Sequence, residues 1–513
     1  KFREMVNTGK RKVDTKGMSI QGGKLSFGKK PAKARRVAKA EAREKKTENP
    51  EKKADIAIFA NDVLVDASAL NAASVYIDPD TAEIFGTISG EYMVEARAII
   101  AHDLSVKAGE TLTSFTLYAA NELADGTYEG NVSITLSNSN IVADELNIFA
   151  TATSNAAEAI VSITGSTLSA AAQEGGSLSI LATSASGSAR VEIKDNSTLS
   201  ATGGVDVAAV SGQGNAAVTL GVNSSASAAT VSMAASAIRG NADTSVQGNI
   251  SGKEDVTITA STGMMYSDSD DDRPVAEMEF KSEGGGNAKV TVAGHVESKG
   301  ALAVSAVALG TYGDAETDIT GSAALNATNT EEKKVGNLEF ERSEDLTIQE
   351  DDSEEAINEK HQKYLDAYKQ YLNGLDSATA AIGTIDIAAT STAGNASVKL
   401  NPSTRVESSL ATAISAEAAQ AASVVLGGNI TGGDISASAK GNAATLRVEE
   451  AGTLRANAHR VFVQEGLIAS VEESDGEISL EAGTHDGDQP NPEPLPAKRD
   501  GVLLEVAGTL TSS

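Results

Sequence analysis

The residues able to do chemistry are few and scattered. The chain of 513 residues holds five histidines, His102, His295, His361, His459 and His485. No two of them stand at a metal-ligand spacing within one element, so each reads as a surface or turn residue. Cysteine is absent, which removes disulfide staples and thiol metal sites together. No Gly-rich phosphate loop, nucleophile elbow or zinc motif occurs. The remaining chemistry is carboxylate chemistry. Asp268, Asp270, Asp271 and Asp272 form one acidic cluster, and residues 350 to 355 form another. Such oxygens can gather Ca²⁺, but neither cluster has EF-hand spacing, and solvated acidic loops have the same composition. The expectation is therefore no catalytic residue and no cofactor, with Ca²⁺ at the four aspartates as the one metal option.

Charge is distributed unevenly. Residues 1–53 carry 18 Lys or Arg against 6 Asp or Glu, a net of +12. The whole chain is at −29, so the rest stands at −41. A basic arm on an acidic body seeks an acidic partner surface. Lys29, Lys30, Lys33, Arg35, Arg36 and Lys39 are its densest contacts, and Gly22 to Phe27 is a candidate strand with Leu25 and Phe27 on one face. The expected partner is a neighbouring copy of the same chain; the alternative is that the arm folds back on its own body. Nucleic acid fits poorly, because the arm lacks interleaved aromatics and the body would repel phosphate.

The body that would position these groups is repetitive. Phe and Tyr number 9 each, too few for a conventional core, while the apolar fraction is still 40%. No run of 18 apolar residues occurs, so no membrane-spanning helix is expected. A Gly-x-Ala marker recurs at Gly187, Gly214, Gly240, Gly286, Gly313, Gly394 and Gly441. After each marker apolar residues alternate, as in Val191 and Ile193 or Val218 and Leu220; Thr244 before Val246 breaks the pattern. A lone apolar position follows (Leu199, Ile250, Val296, Val406, Leu454), then a second alternating pair such as Val205 and Val207. Period-two alternation predicts strands with one buried face. Three short strands in a unit of about 27 residues predict one coil of a right-handed parallel β-helix, an all-β solenoid. An antiparallel sandwich array would show hairpin dipeptides and larger core aromatics. The helix-like stretch Ala411 to Ala422 is in phase with the repeat and is expected to obey it.

Three segments interrupt this body. The reading divides the chain into a basic arm (1–53), irregular first coils or a cap with bulkier side chains (54–150), and the solenoid proper (151–513). Insertions fall at about 263–285, 329–378 and 475–500. The second holds the best helix in the chain, from Ser353 to Leu372, with Gly374 ending it and Tyr364, Tyr368 and Tyr371 on one stripe. That stripe either packs on the solenoid flank or forms a lateral contact between molecules.

The Gly-Asn-Ala, Val-x-Leu, Leu-Ser-Ala and Val-x-Val-x-Ala pattern, over about residues 130 to 470, resembles the repeat regions of very large bacterial surface proteins. These are the filamentous haemagglutinin-like and leukotoxin-type filamentous adhesins and autotransporter passengers. The resemblance implies export, a β-helical shaft, and a role at the cell surface in adhesion or coating. Host or cell-surface glycans enter as possible partners on the same footing. The basic arm and the helical insertion depart from a plain shaft. The expectation is a non-enzymatic extracellular fibre subunit that self-associates through its arm. The rival is a carbohydrate-active β-helix, a polysaccharide lyase or hydrolase, which would gather acidic and basic side chains into one groove.

Overall fold

A computed structural model describes residues 18–21, 24–27, 55–70, 72–123, 126–127, 129–173, 175–267, 280–335, 354–462, 468–469, 471–484 and 501–512. Most of these residues enter one 36-stranded sheet wound into a parallel β-helix. One coil shows the plan. Ala216–Leu220 forms side one, Ser225–Ala228 side two and Thr230–Ala237 side three. The next coil lays Ala242–Val246, Asn249–Gly252 and Val256–Thr262 beside them, parallel and in register. Alternation explains the geometry: every second side chain points inward, so equivalent positions stack on their counterparts one coil away.

The stacks are made of small and branched side chains. On side one Val191, Val218, Thr244, Val290, Thr317 and Val398 lie one above another. On side two Leu199, Ala226, Ile250, Val296, Leu325 and Val406 do the same. Thr244 and Thr317 are fully buried among valines. Threonine has valine's shape, and its hydroxyl must find an acceptor when buried. The Thr244 Oγ1 donates to the Thr259 carbonyl at 2.6 Å, and that of Thr317 to the Ala388 carbonyl at 2.7 Å. The apparent break in the repeat is therefore a cross-core hydrogen bond. Ala411–Ala418 is a side-three strand, paired with Thr384–Ser391 and with Asp434–Lys440.

The Gly-x-Ala marker is the corner between side three and the next side one. Its alanines, such as Ala216, Ala242 and Ala288, fill the inside of the bend. Its glycines stack so closely that a Cβ on Gly286, at φ +151°, would lie 1.9 Å from the Gly240 carbonyl oxygen. Its middle residues form a ladder on the outside. The Asn241 N–H donates to the Asn215 Oδ1, that of Asn287 to Asn241, that of Asp314 to Asn287, and that of Asn395 to Asp314, at 2.7–3.0 Å. Serine secures the inner turn: the Ser211 Oγ donates to the Gly187 carbonyl and accepts from the Gly214 N–H.

The first coils differ. Ile56–Asp66 pairs along Ser74–Ile88, which pairs in turn with Glu91–Ala96 and Ala98–Val106. The first contacts join residues 17 to 19 apart, against 26 or 27 at shaft corners such as Asn215 to Asn241 and Asn287 to Asp314. Side two contracts to pieces such as Leu104 to Val106, paired with Gly86 to Ile88. The two largest fully buried side chains, Tyr92 and Phe115, lie in these first coils. A full three-sided coil is already established by Val132–Ser137 and Asn140–Ala152.

One expected insertion starts later than its sequence suggests. Within 475–500, Ile478–Gly483 is a side-three strand paired in parallel with Ile435–Lys440. Its alternation of Ile478, Leu480 and Ala482 is masked by the intervening Glu481 and the neighbouring Glu477. The same coil carries a further inserted hairpin, His459–Phe462 against Val471–Ser474. Residues 485–500 lie outside the described residues.

Candidate functional site

Two insertions leave the shaft at the same corner, between side two and side three. The first follows Ala324–Ala327 and runs out as Thr330–Val335. It returns as Asp376–Ala381, antiparallel to the outgoing strand. Helix α1, Glu354–Gly374, lies between them. The second insertion follows Thr453–Ala456 and holds the His459–Phe462 hairpin. The two meet: Lys334 and Val335 pair in parallel with Ile468 and Ala469. Lys333 Nζ stands 4.8 Å from the centre of the Phe462 ring, a cation–π contact between the insertions. Lys334 Nζ donates to the Leu375 carbonyl at 2.9 Å. Segments more than 120 residues apart thus build one small side sheet, a knob on the flank.

His459 seats the knob on the shaft. Its side chain is 6% exposed, so it departs from the expected surface histidine. A Cβ on Gly433 would fall 2.7 Å from its Nδ1, so only glycine leaves room for the ring. Nδ1 lies 3.2 Å from the Asn457 carbonyl oxygen. Nε2 is buried without a hydrogen bond, 3.9 Å from the Asp434 Oδ2. Of the other histidines, His295 and His361 are exposed. His102 stands between Asp103 at 2.9 Å and Glu83 at 3.2 Å, and the Asp103 hydrogen bond above all pushes its pKa up. His485 lies outside the described residues.

The tyrosine stripe is an ordered stack. Tyr364 and Tyr368 lie 6.1 Å apart and nearly parallel, and Tyr368 and Tyr371 follow at 6.4 Å. All three are half-buried. Glu359 pairs with Lys363 at 2.6 Å on the exposed side of the helix, which pulls the Glu359 pKa down. Ser353, the expected start of the helix, lies outside the described residues.

Ion pairs on the outward strand faces either lie within one strand, as Arg190 and Lys194 with Glu192 do, or join neighbouring coils. Lys289 meets Glu316 at 3.0 Å, Arg447 meets Glu505 at 3.4 Å and Lys440 meets Glu481 at 3.3 Å. Burial pushes up the carboxyls of Asp206, Asp243 and Asp386; Lys289 opposes the shift at Asp243. Among the described residues no group of three His, Asp or Glu could hold a metal ion. Asp268, Asp270, Asp271 and Asp272 lie outside them, as do Lys29, Lys30, Lys33, Arg35, Arg36 and Lys39. Leu25 and Phe27 fall in a strand, Lys24–Phe27, which pairs antiparallel with Met18–Gln21 of the same arm. The best-defined depressions are shallow and open; one is lined by Ser169, Ser200, Ser227, Ser251 and Lys253. The first insertion of the shaft is a second hairpin, Met264–Ser267 against Phe280–Glu283.

The second half of the knob was not foreseen from sequence. Its signal was the short alternation in His459-Arg460-Val461-Phe462, which reads equally well as another shaft strand. No described helix is long and apolar enough to cross a membrane. No family model matches the chain, and neither a curated protein nor a solved structure matches it.

Proposed function

We propose that the protein is a non-enzymatic structural β-solenoid, a shaft subunit of a bacterial surface fibre or filamentous adhesin. On this reading it works outside the cell, and the flank knob is its lateral contact with copies of itself. The carrying observation is the meeting of two distant insertions in one side sheet (Lys334 and Val335 with Ile468 and Ala469) on an otherwise regular stack. A plain shaft needs no such elaboration, whereas a shaft that must be recognised along one side does. Support also comes from the ion pairs on the outward faces, which stitch coil to coil instead of converging on one point.

Electron microscopy of the native protein, with sedimentation across a concentration series, tests the reading. The expected result is rods that associate side by side, and dispersal of those assemblies when Lys333→Glu and Phe462→Ala are combined. Rods that stay single at every concentration would remove the contact role. Release of unsaturated or reducing sugar ends from polysaccharide by the purified chain would replace this reading with the carbohydrate-active one.

A further inference from the structure

The hairpin of His459–Phe462 and Val471–Ser474 leaves the shaft over a corner of the preceding coil, Gly432 to Asp434. Backbone groups bond well where the chain departs and returns. The Asn457 N–H donates to the Gly432 carbonyl at 2.8 Å, the Ile435 N–H to the Glu477 carbonyl at 2.8 Å, and the Glu477 N–H to the Asp434 Oδ1 at 3.1 Å. The His459 ring on this corner is the exception. Its Nδ1 faces the Asn457 carbonyl, which can only accept, so Nδ1 carries the hydrogen. A neutral ring is then left with a bare lone pair on Nε2, and that atom is buried without a hydrogen-bond partner. What it faces instead is a carboxylate oxygen, the Asp434 Oδ2, 3.9 Å away.

We infer that His459 and Asp434 form a proton-operated latch that fixes the knob to the shaft. The inference rests on the knob being a contact element and names what regulates it. A proton taken from solvent onto Nε2 turns the bare lone pair into a donor and gives the ring the charge that the carboxylate attracts. Oδ2 stands about 1 Å beyond hydrogen-bond distance. The Asp434 side chain is 46% exposed, and its Oδ1 takes the Glu477 bond, which leaves Oδ2 to turn inward. The closed pair is a charge-assisted bond, stronger than a neutral one. Acid therefore tightens the seat, and loss of the proton leaves two acceptors facing each other and loosens it.

The surrounding charges leave this pair to act by itself. Among the described residues His459 makes no other ion pair. On the hairpin, Arg460 stands opposite Glu473, with Glu472 and Asp475 nearby, and all four are exposed. The side-two strand Thr453–Ala456 brings Arg455, exposed, whose Nε donates to the Asn457 Oδ1 at 3.1 Å. Asp376–Ala381, which packs on the hairpin, has one charged residue, Asp376, at its start. Lys333 is engaged over the Phe462 ring, and Glu477 is exposed. Because Ile468 and Ala469 pair with Lys334 and Val335, a latched hairpin holds both insertions. A contact surface held in place binds better than one that must be ordered on contact.

Hydrogen exchange in the full-length chain tests the latch, with rates corrected for the intrinsic effect of pH. Amides of His459–Phe462 and Val471–Ser474 are expected to exchange on the order of tenfold more slowly at about pH 5.5 than at about pH 8, while shaft strands such as Ala216–Leu220 hold constant. Asp434→Asn and His459→Gln should each remove that difference, with the β signal in circular dichroism confirming the fold. Should His459→Gln fail to fold, Asp434→Asn on its half-exposed side chain carries the test. Equal rates at both pH values in the parent, or a difference that survives Asp434→Asn, would overturn the inference. Faster exchange in acid would mean that charging expels the ring and would overturn it equally. Sedimentation of the same samples separates latch from contact. An acid-slowed knob on rods that stay single keeps the latch and removes the lateral contact. Rods that associate through a knob without pH response remove the latch alone.

Discussion

The first coils and the shaft use the same winding with different stabilising materials. Near the N-terminus the coils begin at 17 to 19 residues, and the inward positions that follow hold the two aromatic rings of the core, Tyr92 and Phe115. In the shaft the coils are longer, 26 or 27 residues at corners such as Asn215 to Asn241 and Asn287 to Asp314, and their inward positions hold Ala, Val, Ile and Leu, with Ser and Asn bonding the corners. The short coils bond their corners too, the Thr87 N–H to the Ser68 Oγ at 2.8 Å and the Ala73 N–H to the Asp55 Oδ2 at 2.9 Å, and they add aromatic volume inside. Long coils have wide corners with exposed backbone groups, and small polar side chains must satisfy these. The first coils therefore concentrate part of their burial in one aromatic pair, and the shaft spreads its burial over many aliphatic stacks.

Substitutions can break that comparison. Phe115→Ala should cost most, about 3–5 kcal/mol, because it opens a cavity against Tyr92, whose ring lies 6.4 Å away. Denaturant unfolding would measure it, and Val218→Ala in the shaft should cost clearly less. Equal costs would mean that both regions rest on apolar volume alone. Gly286→Ala should follow at about 2–3 kcal/mol, since the stacked Gly240 carbonyl would have to move and φ is left-handed. A neutral outcome would show that the corners do not constrain the stack.

Asp206→Asn should act in the opposite direction. Burial raises the folded pKa of this acid above its unfolded value, so the folded state holds the proton more tightly. Stability from this group is thus greatest at low pH and declines as pH rises from the ordinary carboxylate range toward the raised value. The variant should be more stable than the parent at neutral pH, and the difference should vanish in acid. Thermal unfolding across pH would test this; a variant less stable at pH 7 would show that the carboxylate is held as an ion. Asn241→Ala should have the smallest effect, about 1 kcal/mol or less, because it frees one exposed N–H, that of Asn287, to bond water.

The sequence disclosed the shaft because its signals are local. Alternation between Val205 and Val207 and the recurrence of Gly-Asn-Ala each follow from contacts repeated in every coil. Thr244 looked like a flaw because its hydrogen-bond partner, the Thr259 carbonyl, lies across the core and only folding brings the two together. The knob was half legible. Helix α1 has a strong 3.6-residue stripe and stood out, but the pairing of Lys334 with Ile468 joins segments whose relation depends on two intervening coils. Strand Ile478–Gly483 was concealed for a different reason: at a solenoid flank, outward positions accept any charge, so Glu481 says nothing about the strand that carries it.

The corner ladder has a mechanical meaning. Hydrogen bonds between stacked coils run along the shaft, so a pull on its two ends loads every coil junction in series. In such a chain of links the weakest junction sets the breaking load, however strong the others are. The clamp formed by Asn215, Asn241, Asn287, Asp314 and Asn395 reinforces one junction after another and last acts on the Ala421 N–H. The next junction, between Ala421–Leu426 and Ala443–Val448, holds its corner with the backbone bond from Ala443 to Gln420. Under tension the clamped junctions from Asn215 to Ala421 would outlast the junctions on either side, whose corners are held by backbone bonds such as Ala189 to Asn215 and Ala443 to Gln420.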